Sequence, residues 1–134
     1  MKLSIRAIIE VLGFPQAHVD EVMKKVVEKL KGEEGIKVIK EDVSPAEVVK
    51  QEMFSSFVDV EVEIDGLEKL NYFCFHYLPS SVEVLDVESI DVSGREFTNY
   101  LNDMLATVHQ YNMMLANLRA ENKVLKEKNG NSKI

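Results

Sequence analysis

The side chains able to do chemistry are few and scattered. They are three histidines (His18, His76 and His109), one cysteine (Cys74), two adjacent serines (Ser80 and Ser81) and a row of carboxylates at Asp59, Glu61, Glu63 and Asp65. Zinc binding would need histidines spaced to meet one ion, as in His-x-x-x-His on a helix, and these three fall in separate elements. A lone cysteine excludes an internal disulfide and a Cys-rich zinc site. Cys74 lies in the apolar run Tyr72-Phe73-Cys74-Phe75, where a small thiol is expected to pack in the core. Ser80 and Ser81 follow Pro79 without the glycines of a nucleophile elbow. The glycines are dispersed and build no phosphate-cradling loop. Carboxylates alternating along a strand could hold a cation or a basic partner, but the pattern is that of a solvated face. No catalytic constellation emerges, so the expectation is a non-enzymatic protein without cofactor or metal.

Composition narrows the class. The chain has 134 residues, of which 46% are hydrophobic and 29% charged, values of a folded domain and not of a disordered tail. With no Trp, the core must be mainly aliphatic. The start, Met1-Lys2-Leu3-Ser4-Ile5-Arg6, has no uninterrupted apolar stretch of the secretory type, and no run is long enough for a membrane span. A cytoplasmic protein without membrane contact is expected. Charge is uneven: residues 1–92 hold 10 basic and 19 acidic side chains, a net −9, whereas residues 93–134 hold 6 basic and 4 acidic, a net +2. An acidic body repels nucleic acid and anionic lipid.

The elements that must position these groups follow from periodicity. Leu3, Ile5, Ala7, Ile9 and Val11 alternate as in a strand, interrupted by Ile8 and Leu12. After Gly13-Phe14-Pro15, the residues Val19, Val22, Met23, Val26, Val27 and Leu30 recur at helical spacing. Residues 36–43 read as a second strand. Ser44-Pro45-Ala46-Glu47 has the form of a capping box and predicts a short helical turn. Residues 57–65 alternate cleanly, with Val58, Val60, Val62 and Ile64 opposite the acidic row. Arg6, on the outward face of the first strand, would offset part of that acidic charge if the two strands are neighbours. A second helix opens at Gly66 with Leu67, Leu70, Phe73, Cys74 and Tyr77 on one face. Residues 82–87 form a fourth strand.

The strongest signal is C-terminal. Ser93-Gly94-Arg95-Glu96 is a second capping box, and no Pro or Gly follows until Gly130, which predicts a helix from about 94 to 128, roughly 50 Å long. Phe97, Leu101, Met104, Val108, Tyr111, Leu115, Leu118, Asn122 and Leu125 alternate four- and three-residue steps without a slip. That is a heptad seam, with Leu101, Val108, Leu115 and Asn122 at position a and the others at d. A lone Asn at a favours a parallel pair in register, and Glu121 at g can meet Lys126 at the following e of a partner helix. Tyr100, Leu105 and Met114 widen the apolar arc in the first half. Residues 97–114 are therefore expected to touch the globular body as well as a partner, and 115–128 to form a bare two-stranded coil. Arg119, Lys123, Lys126 and Lys128 make the tip basic, as suits the negative end of a helix dipole.

The order β-α-β-β-α-β over residues 1–92 is the split βαβ arrangement of ferredoxin-like folds. It resembles acylphosphatase and ACT-type regulatory domains in element order alone. Gly13-Phe14-Pro15-Gln16 lacks the Arg-bearing phosphate loop of the former, and the Cys-x-x-Cys of heavy-metal-binding relatives is missing. The expected protein is an α+β, ferredoxin-like head (residues 1–92) followed by a coiled-coil helix with a short disordered tail (residues 93–134). Its expected function is that of a homodimeric scaffold whose acidic heads bind another protein. An ACT-like sensor is the alternative that the resemblance implies, with a polar pocket at the loops Gly13-Phe14-Pro15 and Pro79-Ser80-Ser81. The third reading is an enzyme subunit whose site needs a partner chain.

Overall fold

Alternating apolar residues build two central strands that lie side by side in one sheet and bury the same face. In the computed structural model, which describes residues 1–132, β1 (Lys2–Gly13) pairs antiparallel with β3 (Met53–Asp65). Leu3 lies opposite Ile64, Ile5 opposite Val62, Ala7 opposite Val60 and Ile9 opposite Val58. The four β3 side chains in these pairs are fully buried, and each burial of this kind contributes roughly 1.5–3 kcal/mol.

α1 (Gln16–Lys31) and α2 (Gly66–Tyr77) cover that face. Val19, Met23, Val27 and Leu30 are buried from α1, as are Phe73 and Tyr77 from α2, while Leu67, Leu70 and Cys74 pack partly buried against the same core. The helical spacing of the sequence thus identifies both inward faces. Asn71, also buried on α2, escaped that pattern. Leu78 ends α2 in the left-handed region at φ 45°, its N–H bonded to Cys74 O at 3.1 Å.

The edges depart from expectation. Ser44-Pro45-Ala46-Glu47 forms no helical turn, because β2 (Ile36–Lys50) continues through it as one strand with irregular register between Ser44 and Glu47. A tertiary clamp outweighs the local capping pattern. Gln16 Nε2 donates to Ala46 O and Asp20 Oδ1 accepts from Ala46 N–H, both at 2.9 Å, and Ser56 Oγ donates to Ser44 O at 2.7 Å. Ala46 is thereby buried. Pro45 is tolerated because β2 lies at the sheet edge, where a missing N–H breaks little. β4 (Ser81–Val84) is shorter than the expected 82–87, since Asp86 at φ 62° turns the chain away just after Leu85 N–H bonds Ser4 O.

The result is α+β, with a four-stranded antiparallel sheet in the order β2-β3-β1-β4 and a long C-terminal helix, α3 (Gly94–Ser132). The chain divides after Ser93 into the α+β unit and the helical unit. α3 runs through Gly130 to Ser132, beyond the expected end at 128, so the expected disordered tail is helical there. Its last residues, 133–134, lie outside the described residues.

Candidate functional site

α3 carries the nine seam positions on one stripe of a 39-residue helix. Met104 is half-buried and Asn122 exposed. The other seven are exposed apolar side chains, from 37% at Leu101 to 59% at Leu125. Scattered exposed leucines need no explanation; here the exposed apolar side chains fall on one continuous stripe. Asn122 interrupts the stripe and lines a groove with Arg119, Lys123, Lys126 and Glu127. Within the helix, Thr107 Oγ1 donates to Asp103 O at 3.0 Å, and the rings of Phe97 and Tyr100 lie 6.4 Å apart.

In the α+β unit, three carboxylates of the acidic β3 row meet a cation, and the fourth lies across from a lysine. Arg6 on β1 donates twice to Asp59, Nε to Oδ1 at 3.1 Å and Nη2 to Oδ2 at 2.6 Å. This hydrogen bonding holds the Asp59 carboxyl below its ordinary range. Lys40 reaches Glu61 at 3.8 Å, the N-terminal ammonium reaches Asp65 at 3.6 Å, and Lys37 lies opposite Glu63 in the β2–β3 register. The offset expected from Arg6 is present, and β2 extends it with two lysines. Alternation within one strand carries no information about its neighbours, so the lysines could not be assigned from sequence.

A second cluster was not legible beforehand. Tyr77 and Tyr72 of α2 both donate to Glu33 Oε1, at 2.8 and 2.9 Å, from the turn after α1. Lys29 lies 5.7 Å from the Tyr77 ring centre and Lys69 lies 4.9 Å from that of Tyr72. The Tyr77 bond, assisted by that of Tyr72 and by both lysines, draws the Glu33 carboxyl below its ordinary value against the effect of burial. Burial and the Glu33 bond push Tyr77 upward. The one available signal was that a tyrosine on a buried face must find a partner for its hydroxyl. The arrangement works as a latch between the α1–β2 turn and α2; a carboxylate accepting two phenols that stay protonated has little scope as a general base.

The remaining chemistry-bearing residues lie apart. His18 is on α1, His76 on α2 and His109 on α3. His76 stacks on Tyr72 with ring centres 3.9 Å apart. Burial pushes the Cys74 thiol upward, away from the reactive thiolate. Ser80, in a loop expected to form a polar pocket, directs both its N–H (2.8 Å) and its Oγ (3.2 Å) to Ile8 O. At the other loop, Phe14 packs its ring 6.3 Å from that of Phe54. Among the described residues, no three His, Cys, Asp or Glu side chains gather to hold a metal ion. No described helix is long and apolar enough to cross a membrane.

Compared with known proteins, the chain matches one family description, the MJ0538 family, over residues 4–132. No curated protein and no solved structure matches it.

Proposed function

The chain belongs to the MJ0538 family through a match that takes in nearly all of the α+β unit and the whole of α3, and on that premise we propose that the protein works as a pair. Two copies join through a parallel α3 coiled coil and hold two acidic heads for another protein to bind, without catalysis. The observation that carries this reading is the exposed heptad stripe from Phe97 to Leu125. A monomer would leave the stripe in water, whereas pairing buries it as knobs in holes. Asn122 at an a position and the Glu121–Lys126 spacing favour the parallel, in-register arrangement.

The sheet order β2-β3-β1-β4, joined by one helix in each βαβ half, supports a ferredoxin-like head. Partner binding by that head draws on its net charge of −9 in residues 1–92. The β3 row contributes little to this, because most of its carboxylates already meet cations. Glu88 and Asp91, exposed after β4, are better placed to meet a basic partner.

Disulfide trapping tests the pairing. In a Cys74→Ser background, Asn122→Cys should cross-link to a covalent dimer under mild oxidation, and Lys123→Cys, off the seam, should not. Equal trapping at both positions, or at neither, would reject the parallel seam.

A further inference from the structure

α3 changes character at Arg119, and the change bears on how many helices enclose it. Between Phe97 and Leu118 the helix carries one formally charged side chain, Asp103. The next ten residues carry six: Arg119, Glu121, Lys123, Lys126, Glu127 and Lys128. The contrast is sharpest at positions e and g, which flank the seam. In the first segment these are Thr98, Tyr100, Leu105, Thr107, Asn112 and Met114; in the second they are Arg119, Glu121, Lys126 and Lys128. A two-stranded coil leaves e and g half in water, where charged residues belong. The second segment obeys that rule and the first breaks it over ~33 Å of helix.

We propose that residues 97–118 of four copies form a four-helix bundle, two α3 pairs packing together through Tyr100, Leu105 and Met114, while residues 119–128 stay two-stranded. The inference rests on the pairing proposed above and extends it. A core-facing bundle helix needs an apolar face wider than the a/d stripe, adding e or g positions. Leu105 and Met114 extend the stripe on its two sides, and they are 49% and 52% exposed in the single chain. The occupant proposed for this widened face, in place of the contact with the globular body expected from sequence, is a second copy of the same face. Its flanking positions hold no charge to repel or to desolvate, so self-association carries no ion-burial penalty. The charged segment beyond Leu118 stops the second contact from spreading, because stacking it would bury Arg119 and Lys126.

Sedimentation of the full chain at micromolar concentration tests this. The expected species has four times the 15.3 kDa chain mass. Leu105→Glu combined with Met114→Glu should halve that mass to a dimer with unchanged helix content by circular dichroism, and Val124→Glu, off both faces, should leave the tetramer intact. A wild-type dimer would overturn the bundle and leave the pairing standing; a wild-type monomer would remove both. A tetramer that survives the double substitution would also overturn it. If the double variant loses helix, Leu105→Gln alone should weaken the association of dimers at least tenfold, and an unchanged dissociation constant would count against the bundle.

Discussion

Tyr77 donates its hydroxyl to Glu33 across 44 residues of sequence, and the 2.8 Å bond ties the end of α2 to the turn that follows α1. Tyr77 is buried as a residue, and Glu33 is the acceptor that the fold brings to its hydroxyl. Tyr77→Phe keeps the ring packing and deletes the bond, and it should cost roughly 1–2 kcal/mol in urea unfolding at neutral pH. No loss would mean that Glu33 is as well satisfied by solvent.

The same latch should be pH-dependent. The Glu33 carboxyl titrates below its ordinary value in the folded chain, so as pH falls the unfolded chain takes up its proton first. The stabilisation is present above the ordinary carboxylate range and is lost as pH drops through the lowered folded value. The stability gap between wild type and Glu33→Gln should therefore narrow below about pH 4. A gap that stays constant from neutral to acid pH would contradict the assignment.

Asp20 should matter more than its place on a solvated helix suggests. Its carboxylate accepts from the N–H of buried Ala46, and Asp20→Ala would leave that donor without a partner. The expected loss is about 1–3 kcal/mol, together with faster amide exchange at Ala46. Exchange at wild-type rates would show that the clamp does not hold the bulge.

Arg6 and Asp59 form a two-pronged pair on an exposed face. Pairs of this kind are screened by salt and contribute little. Asp59→Asn should lower the melting temperature slightly at low ionic strength and not at 1 M salt. A deficit independent of salt would point to packing of the guanidinium stem.

Asn122 lies on the α3 stripe where every other seam position is apolar. On the pairing proposed above, Asn122→Val should raise thermal stability and broaden the distribution of oligomers, because pairing would bury the amide and so exchange stability for register. A variant with one oligomeric state and no gain in melting temperature would take Asn122 out of the seam.

Periodic patterns in the sequence were sufficient for the inward faces of β1, α1, β3 and α2 and for the stripe on α3. Burying one side of a regular element imposes its repeat on the residues themselves, so Val58 to Ile64 and Val19 to Leu30 announce their direction without help from elsewhere.

What only the tertiary structure decided are the relations between distant segments. Ser44-Pro45-Ala46-Glu47 carries a local capping pattern, yet the chain stays extended there because Gln16 and Asp20 satisfy the Ala46 amide and carbonyl. The acidic row of β3 reads as a free face until the register brings Arg6, Lys37 and Lys40 alongside it. Glu33 is one of many surface acids until the fold closes Tyr72 and Tyr77 over it. A sequence records which side of an element avoids water. Which polar group on one element satisfies which on another depends on how the elements meet.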